Sequence, residues 1–82
     1  MIVLELAFDD DPRRLAARPA HRQRLATLPQ LVMAGPWADD SGALLVFDAE
    51  RSEVDRIMAE DPYYTTAGVR LVALREWRPI VQ

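Results

Sequence analysis

The chain has no cysteine, no lysine, one histidine and three glycines among its 82 residues. Without cysteine there is no disulfide framework and no thiolate zinc site. All ten Lys and Arg positions are arginine, which reads as coding bias more than as function. No apolar run approaches the length of a bilayer span. The one early apolar stretch is interrupted by Glu5 and by Asp9-Asp10-Asp11, so no signal peptide is read there. A net charge of −3 argues against nucleic acid as a partner. Neither nucleic acid nor membrane is therefore expected, and a cytoplasmic protein is.

What is present is the composition of one globular domain: 50% hydrophobic and 28% charged residues, too few in all for two cores. So small a core leaves a thin margin of stability, and association into a dimer is a natural way to bury more. The lone histidine lies in Arg18-Pro19-Ala20-His21. Pro19 suits the first position of a helix, where its missing N–H costs nothing. Arg18, preceding a proline, is pushed out of the α region. The expectation is a short helix over 12–17 and a main helix from Pro19 to about Leu28. His21 then falls in the first turn of the main helix, on one face with Leu25 and Leu28.

Around this stretch the pattern is regular. Residues 2–8 read as a central strand, with Ile2, Leu4, Leu6 and Phe8 on one face and Val3, Glu5 and Ala7 on the other. Residues 31–34 and 43–47 form a hairpin across a turn-rich loop at 37–42. Residues 49–60 are helical, with Val54, Ile57 and Met58 on one face. Residues 63–68 are a connector, and 69–77 the last strand, Val69, Leu71 and Ala73 facing one way and Val72 and Leu74 the other. The order is βαββαβ, an α+β ferredoxin-like arrangement with two helices on one face of a four-stranded antiparallel sheet. The other face, with Val3 and Ala7, is apolar enough to need a cover, and a second subunit packed sheet to sheet is the simplest one.

Histidine is the side chain whose ordinary pKa lets it exchange protons near neutrality, and a carboxylate beside it fixes its tautomer. Two aspartates compete for that place. Asp9, at the end of the first strand, ranks first; its plainer role is to cap the first helix. Asp61, on the buried side of its helix end, ranks second, because the topology is read as placing that end far from Asp9; its plainer role is an Asp-Pro turn. His21 itself has a plain reading as a core-edge histidine. Arg18 has the charge to hold an anionic substrate, though a solvated arginine is the simpler reading. Tyr63 and Tyr64 are candidates for a pocket wall or for packing. Ser41 has no base in pattern, and one histidine is a poor start for a metal site.

Four blocks carry a resemblance: Arg18-Pro19-Ala20-His21 with Arg24-Leu25, then Ala34-Gly35-Pro36, Asp61-Pro62-Tyr63, and Ala67-Gly68-Val69. In order and spacing they resemble the YciI-like family across nearly the whole chain, and Asp9 coincides with a position that is often aspartate there. The resemblance implies a ferredoxin-like fold dimerising as an α+β barrel, and a cleft centred on a histidine/aspartate pair. By position these are His21 with Asp9 and Asp61, and Arg18, Tyr63 and Pro36 are the candidates for substrate binding. At least one relative eliminates chloride from a chlorinated hydroxyquinol, which is proton-transfer chemistry. The chain departs from the pattern at Pro29, where a glycine-containing turn is usual, and in trimmed segments before the histidine and at 37–42.

The leading expectation is a small cofactor-free protein, a lyase or isomerase, in which His21 moves a proton and an aspartate orients it. The alternative is a non-catalytic dimeric module that binds a small ligand or serves as an accessory subunit. Haem ligation through His21 ranks last, since it needs a roomy apolar pocket that 82 residues barely supply.

Overall fold

The computed structural model describes residues 1–82, in the order β1 (Ile2–Phe8), α1 (Pro12–Ala26), β2 (Leu31–Pro36), β3 (Gly42–Phe47), α2 (Arg51–Glu60), a 3₁₀ turn (Pro62–Thr65) and β4 (Val69–Glu76). The four strands form one antiparallel sheet in the order β2-β3-β1-β4. This is the expected α+β ferredoxin-like arrangement. No helix is long and apolar enough to cross a membrane.

Alternation along β1 decides where the core lies. Ile2, Leu4 and Leu6 are buried on the helix side and stand opposite Phe47, Leu45 and Ala43 of β3. Val54 and Ile57 of α2 close on the same cluster, and Leu25 and Leu28 join its edge. The faces of β4 differ from the simple alternation. Glu5 stands opposite Ala73 but Leu6 opposite Leu71, so Val72 is an extra residue in the ladder. That bulge puts Leu74 on the side of Val69 and Leu71, and turns Ala73 to the open face.

The first helix also differs from expectation. Pro12–Ala26 is one helix with Pro19 inside it, and Arg18 stays helical. The proline removes one hydrogen bond, to the carbonyl four residues back. That residue, Leu15, is on the exposed side of the helix, where the loss is least costly. His21 consequently lies in the third turn, about 13 Å along the axis from Pro12 at 1.5 Å per residue.

The helix entry is built from aspartates. Asp11 is the N-cap; its carboxylate accepts from the Arg13 backbone N–H at 2.9 Å and from the Arg13 guanidinium at 2.7 Å. The Arg13 side chain and N–H hold the Asp11 carboxyl down at about 2, against an ordinary 3.8. Being more acidic folded than unfolded, this group contributes its stability in full above pH 3.8 and loses it as the pH falls through about 2. Helical circular dichroism should weaken across that acid window, and Asp11→Asn, which keeps a capping oxygen but cannot titrate, should lose part of the dependence. An unchanged acid profile in the variant would count against this role.

Candidate functional site

The last turn of α2 gives way to Asp61-Pro62, and the proline starts a 3₁₀ turn rather than continuing the helix. Asp61 caps that turn, its Oδ1 accepting from the Tyr63 N–H at 3.0 Å. The carboxylate is thereby fixed with its second oxygen free to face α1. There Oδ2 meets His21 Nδ1 at 2.7 Å, with both side chains buried. A carboxylate can only accept, so the contact places the proton on Nδ1 and, in the neutral ring, leaves the lone pair on Nε2.

Two tyrosines of the same turn hold the ring. Tyr63 stacks on His21 with centroids 3.9 Å apart and planes 7° from parallel. Tyr64 meets it edge-on at 5.3 Å. Burial pushes both phenols up; for Tyr64 the neighbouring Asp61 adds to the effect, and for Tyr63 the Arg14 guanidinium opposes it. Both tyrosines therefore stay neutral, and the Tyr64 hydroxyl is buried without a hydrogen-bond partner.

The partner of His21 is thus Asp61 and not Asp9, which reverses the order expected from the sequence. Two placements account for it. A continuous α1 puts His21 in its third turn rather than in the first turn of a separate helix. And β4 lies beside β1, with Val69 opposite Phe8, so the Asp61–Thr65 segment leading into β4 passes beneath that end of the sheet and packs on α1. Asp9 instead turns the chain into α1. Its Oδ1 accepts from the Asp11 N–H at 2.9 Å, its carbonyl from Arg14 Nε at 3.1 Å, and its own N–H donates to the Gly68 carbonyl at 3.0 Å. Gly68 has φ +93°, and a Cβ there would come within 2.9 Å of the Asp11 Cβ, so the junction requires glycine.

A cavity of about 470 Å³ opens between α1 and the β2–β3 hairpin, with His21 in its wall. Its lining is mainly apolar, including Phe8, Leu25, Leu31 and Leu45, and it contains Arg18, Pro36 and Tyr63. The structure therefore brings together His21, Asp61, Arg18, Tyr63 and Pro36, and leaves Asp9 apart. His21 Nε2 makes no hydrogen bond within the chain.

Two residues of this neighbourhood carried no expectation. Arg14 is buried, its guanidinium 4.5 Å from the centre of the Phe8 ring and bonded through Nη2 to Asp40 Oδ2 at 3.3 Å. Asp40, in the hairpin loop, has φ +59°, a left-handed conformation that aspartate tolerates better than most residues. This turn carries its carboxylate back onto α1. The signal for Arg14 lay in the spacing: 14, 18, 21 and 25 mark one helical face once the helix is carried through Pro19.

A split βαβ sheet with a buried histidine–aspartate pair beside a mainly apolar cavity describes a small α+β domain of ferredoxin-like fold. The family description that matches is the YCII-related domain, over residues 1–78, and the chain belongs to that family. No curated protein and no solved structure matches the chain. The donors at the site are one imidazole and one carboxylate, and no group of three or more His, Cys, Asp or Glu side chains is placed to hold a metal ion.

Proposed function

We propose that the protein is a cofactor-free acid–base catalyst, a lyase or isomerase acting on a small organic molecule held in the cavity beside His21. The observation that carries this reading is the buried 2.7 Å contact from His21 Nδ1 to Asp61, which turns the basic Nε2 away from the carboxylate, in a residue that lines the cavity. Nε2 takes a proton from a C–H or O–H of the substrate, and the electron pair stays on the substrate as an enolate-type anion. Asp61 and the stacked face of Tyr63 stabilise the imidazolium that forms. The reaction closes when the imidazolium returns the proton to another atom, which is isomerisation. It also closes when a leaving group departs with the electron pair and the proton passes to solvent, which is elimination.

Solvent exchange tests this directly. A panel of small oxo- and hydroxy-acids and phenols in D₂O should include one compound that takes up deuterium in the presence of the protein. His21→Ala should abolish that uptake. Equal uptake with the variant, or none with any compound, would favour a binding module instead.

The protein is further read as a dimer formed through its open sheet face. Val3, Leu44 and Val46 lie on that face beside exposed Met33 and Trp77, around a hollow of about 750 Å³. A patch of this kind on so small a domain is best covered by a second copy. Sedimentation should give twice the 9.3 kDa chain mass, and a monomer at tens of micromolar would contradict the reading.

A further inference from the structure

The cavity beside His21 is apolar over most of its wall, yet its charged groups are unbalanced. Arg18 and Arg22 both line it, against one carboxylate, Asp40. Arg22 makes no ion pair in the chain. Arg18 has a single ionic neighbour, Asp40 Oδ2, at 3.7 Å, well beyond the 2.7–2.9 Å of a charge-assisted hydrogen bond. That same oxygen is already bonded to Arg14, whose guanidinium is buried and keeps one further nitrogen, Nη1, without a partner. One carboxylate is thus shared between two guanidiniums and satisfies neither. With His21 neutral, the cavity wall carries an excess of one positive charge in a chain whose net charge is −3.

We infer that the cavity takes a small apolar monocarboxylate, its hydrocarbon body against Phe8, Leu25 and Leu45 and its carboxylate on Arg18, in competition with Asp40. A monoanion cancels the excess charge, whereas a dianion would reverse it. The volume suits a ring or branched chain of modest size, since ligand pockets run from about 300 to 1,000 Å³. Buried Arg14 keeps hold of Asp40 when Arg18 turns to the ligand, so the hairpin loop remains tethered to α1. The inference deepens the proposed function and rests on it in one respect, that the acid bound in this way is the substrate of His21.

Benzoate and benzyl alcohol separate the terms of the argument. They share a ring and differ in charge, and benzoate has no acidic C–H, so its binding is independent of proton transfer. Calorimetry and ¹⁵N–¹H shifts of the Arg18 and His21 side chains should show benzoate binding about tenfold or more tightly than benzyl alcohol, the usual weight of a hydrogen bond to a charged group. Arg18→Gln, at a partly exposed position that leaves the core intact, should erase that preference. Asp40→Asn should bind benzoate several-fold more tightly, because asparagine accepts the same left-handed turn while giving up the competing charge. The inference is overturned by benzoate binding no better than the alcohol, by an unchanged preference in Arg18→Gln, or by unchanged or weaker binding in Asp40→Asn. In each of those cases the proton-transfer role of His21 would still stand or fall on deuterium uptake alone.

Discussion

Asp61→Ala is expected to destabilise the domain by about 2–6 kcal/mol, because it leaves two buried donors without acceptors at about 1–3 kcal/mol each. The first is the Tyr63 N–H, which the Asp61 Oδ1 now caps at 3.0 Å. The second is His21 Nδ1–H, held by Oδ2 at 2.7 Å. The 3₁₀ turn that carries Tyr63 and Tyr64 under the sheet loses its cap at the same time. For a domain of this size the whole stability is on the order of 4–12 kcal/mol, so the variant should lie near the edge of folding. Urea denaturation measures it through the shift of the midpoint. A loss under about 1 kcal/mol would mean that neither contact carries weight.

Asp61→Asn should separate the fold from the chemistry. The amide oxygen can keep the Tyr63 N–H, while the amide NH₂ now points at His21 and can only donate. The ring must then accept at Nδ1 and carry its proton on Nε2, so the nitrogen that should act as the base has become a donor. We expect a stability loss of about 1 kcal/mol, since the hydrogen bonds are exchanged rather than lost. Proton transfer should fall by about 10²–10⁴-fold, the usual contribution of a positioned general base. Deuterium uptake by whichever compound the wild type labels provides the rate. An undiminished rate would remove Asp61 from the mechanism and leave it the structural role of a cap.

Much of this architecture was legible in the sequence because it depends on local pattern. Alternation in residues 2–8 assigns Ile2, Leu4 and Leu6 to the core, and the 3.6-residue spacing of Val54, Ile57 and Met58 orients α2. The βαββαβ order of elements follows from the same patterns. The errors have a common source in features that tertiary packing overrides. Pro19 argues locally for a helix start, yet α1 runs through it, since one lost hydrogen bond near exposed Leu15 weighs less than a continuous packed face. Reading a break there hid Arg14 from the stripe that contains Arg18 and His21, and moved His21 toward Asp9. Which aspartate reaches the histidine depends on β4 lying beside β1 and on a 3₁₀ turn at Pro62–Thr65, and the pattern of that segment announces only a connector. Asp40 is invisible for a similar reason: a long-range ion pair from a left-handed loop residue has no periodic signature.

Asp61 holds His21 with its proton on Nδ1 and its lone pair on Nε2. The ¹⁵N shifts of the His21 ring at a pH where it is neutral measure this directly. The wild-type protein should show a protonated Nδ1 and an unprotonated Nε2, and Asp61→Asn should show the opposite tautomer. A wild-type ring protonated on Nε2, or a tautomer unchanged by Asp61→Asn, would contradict this arrangement.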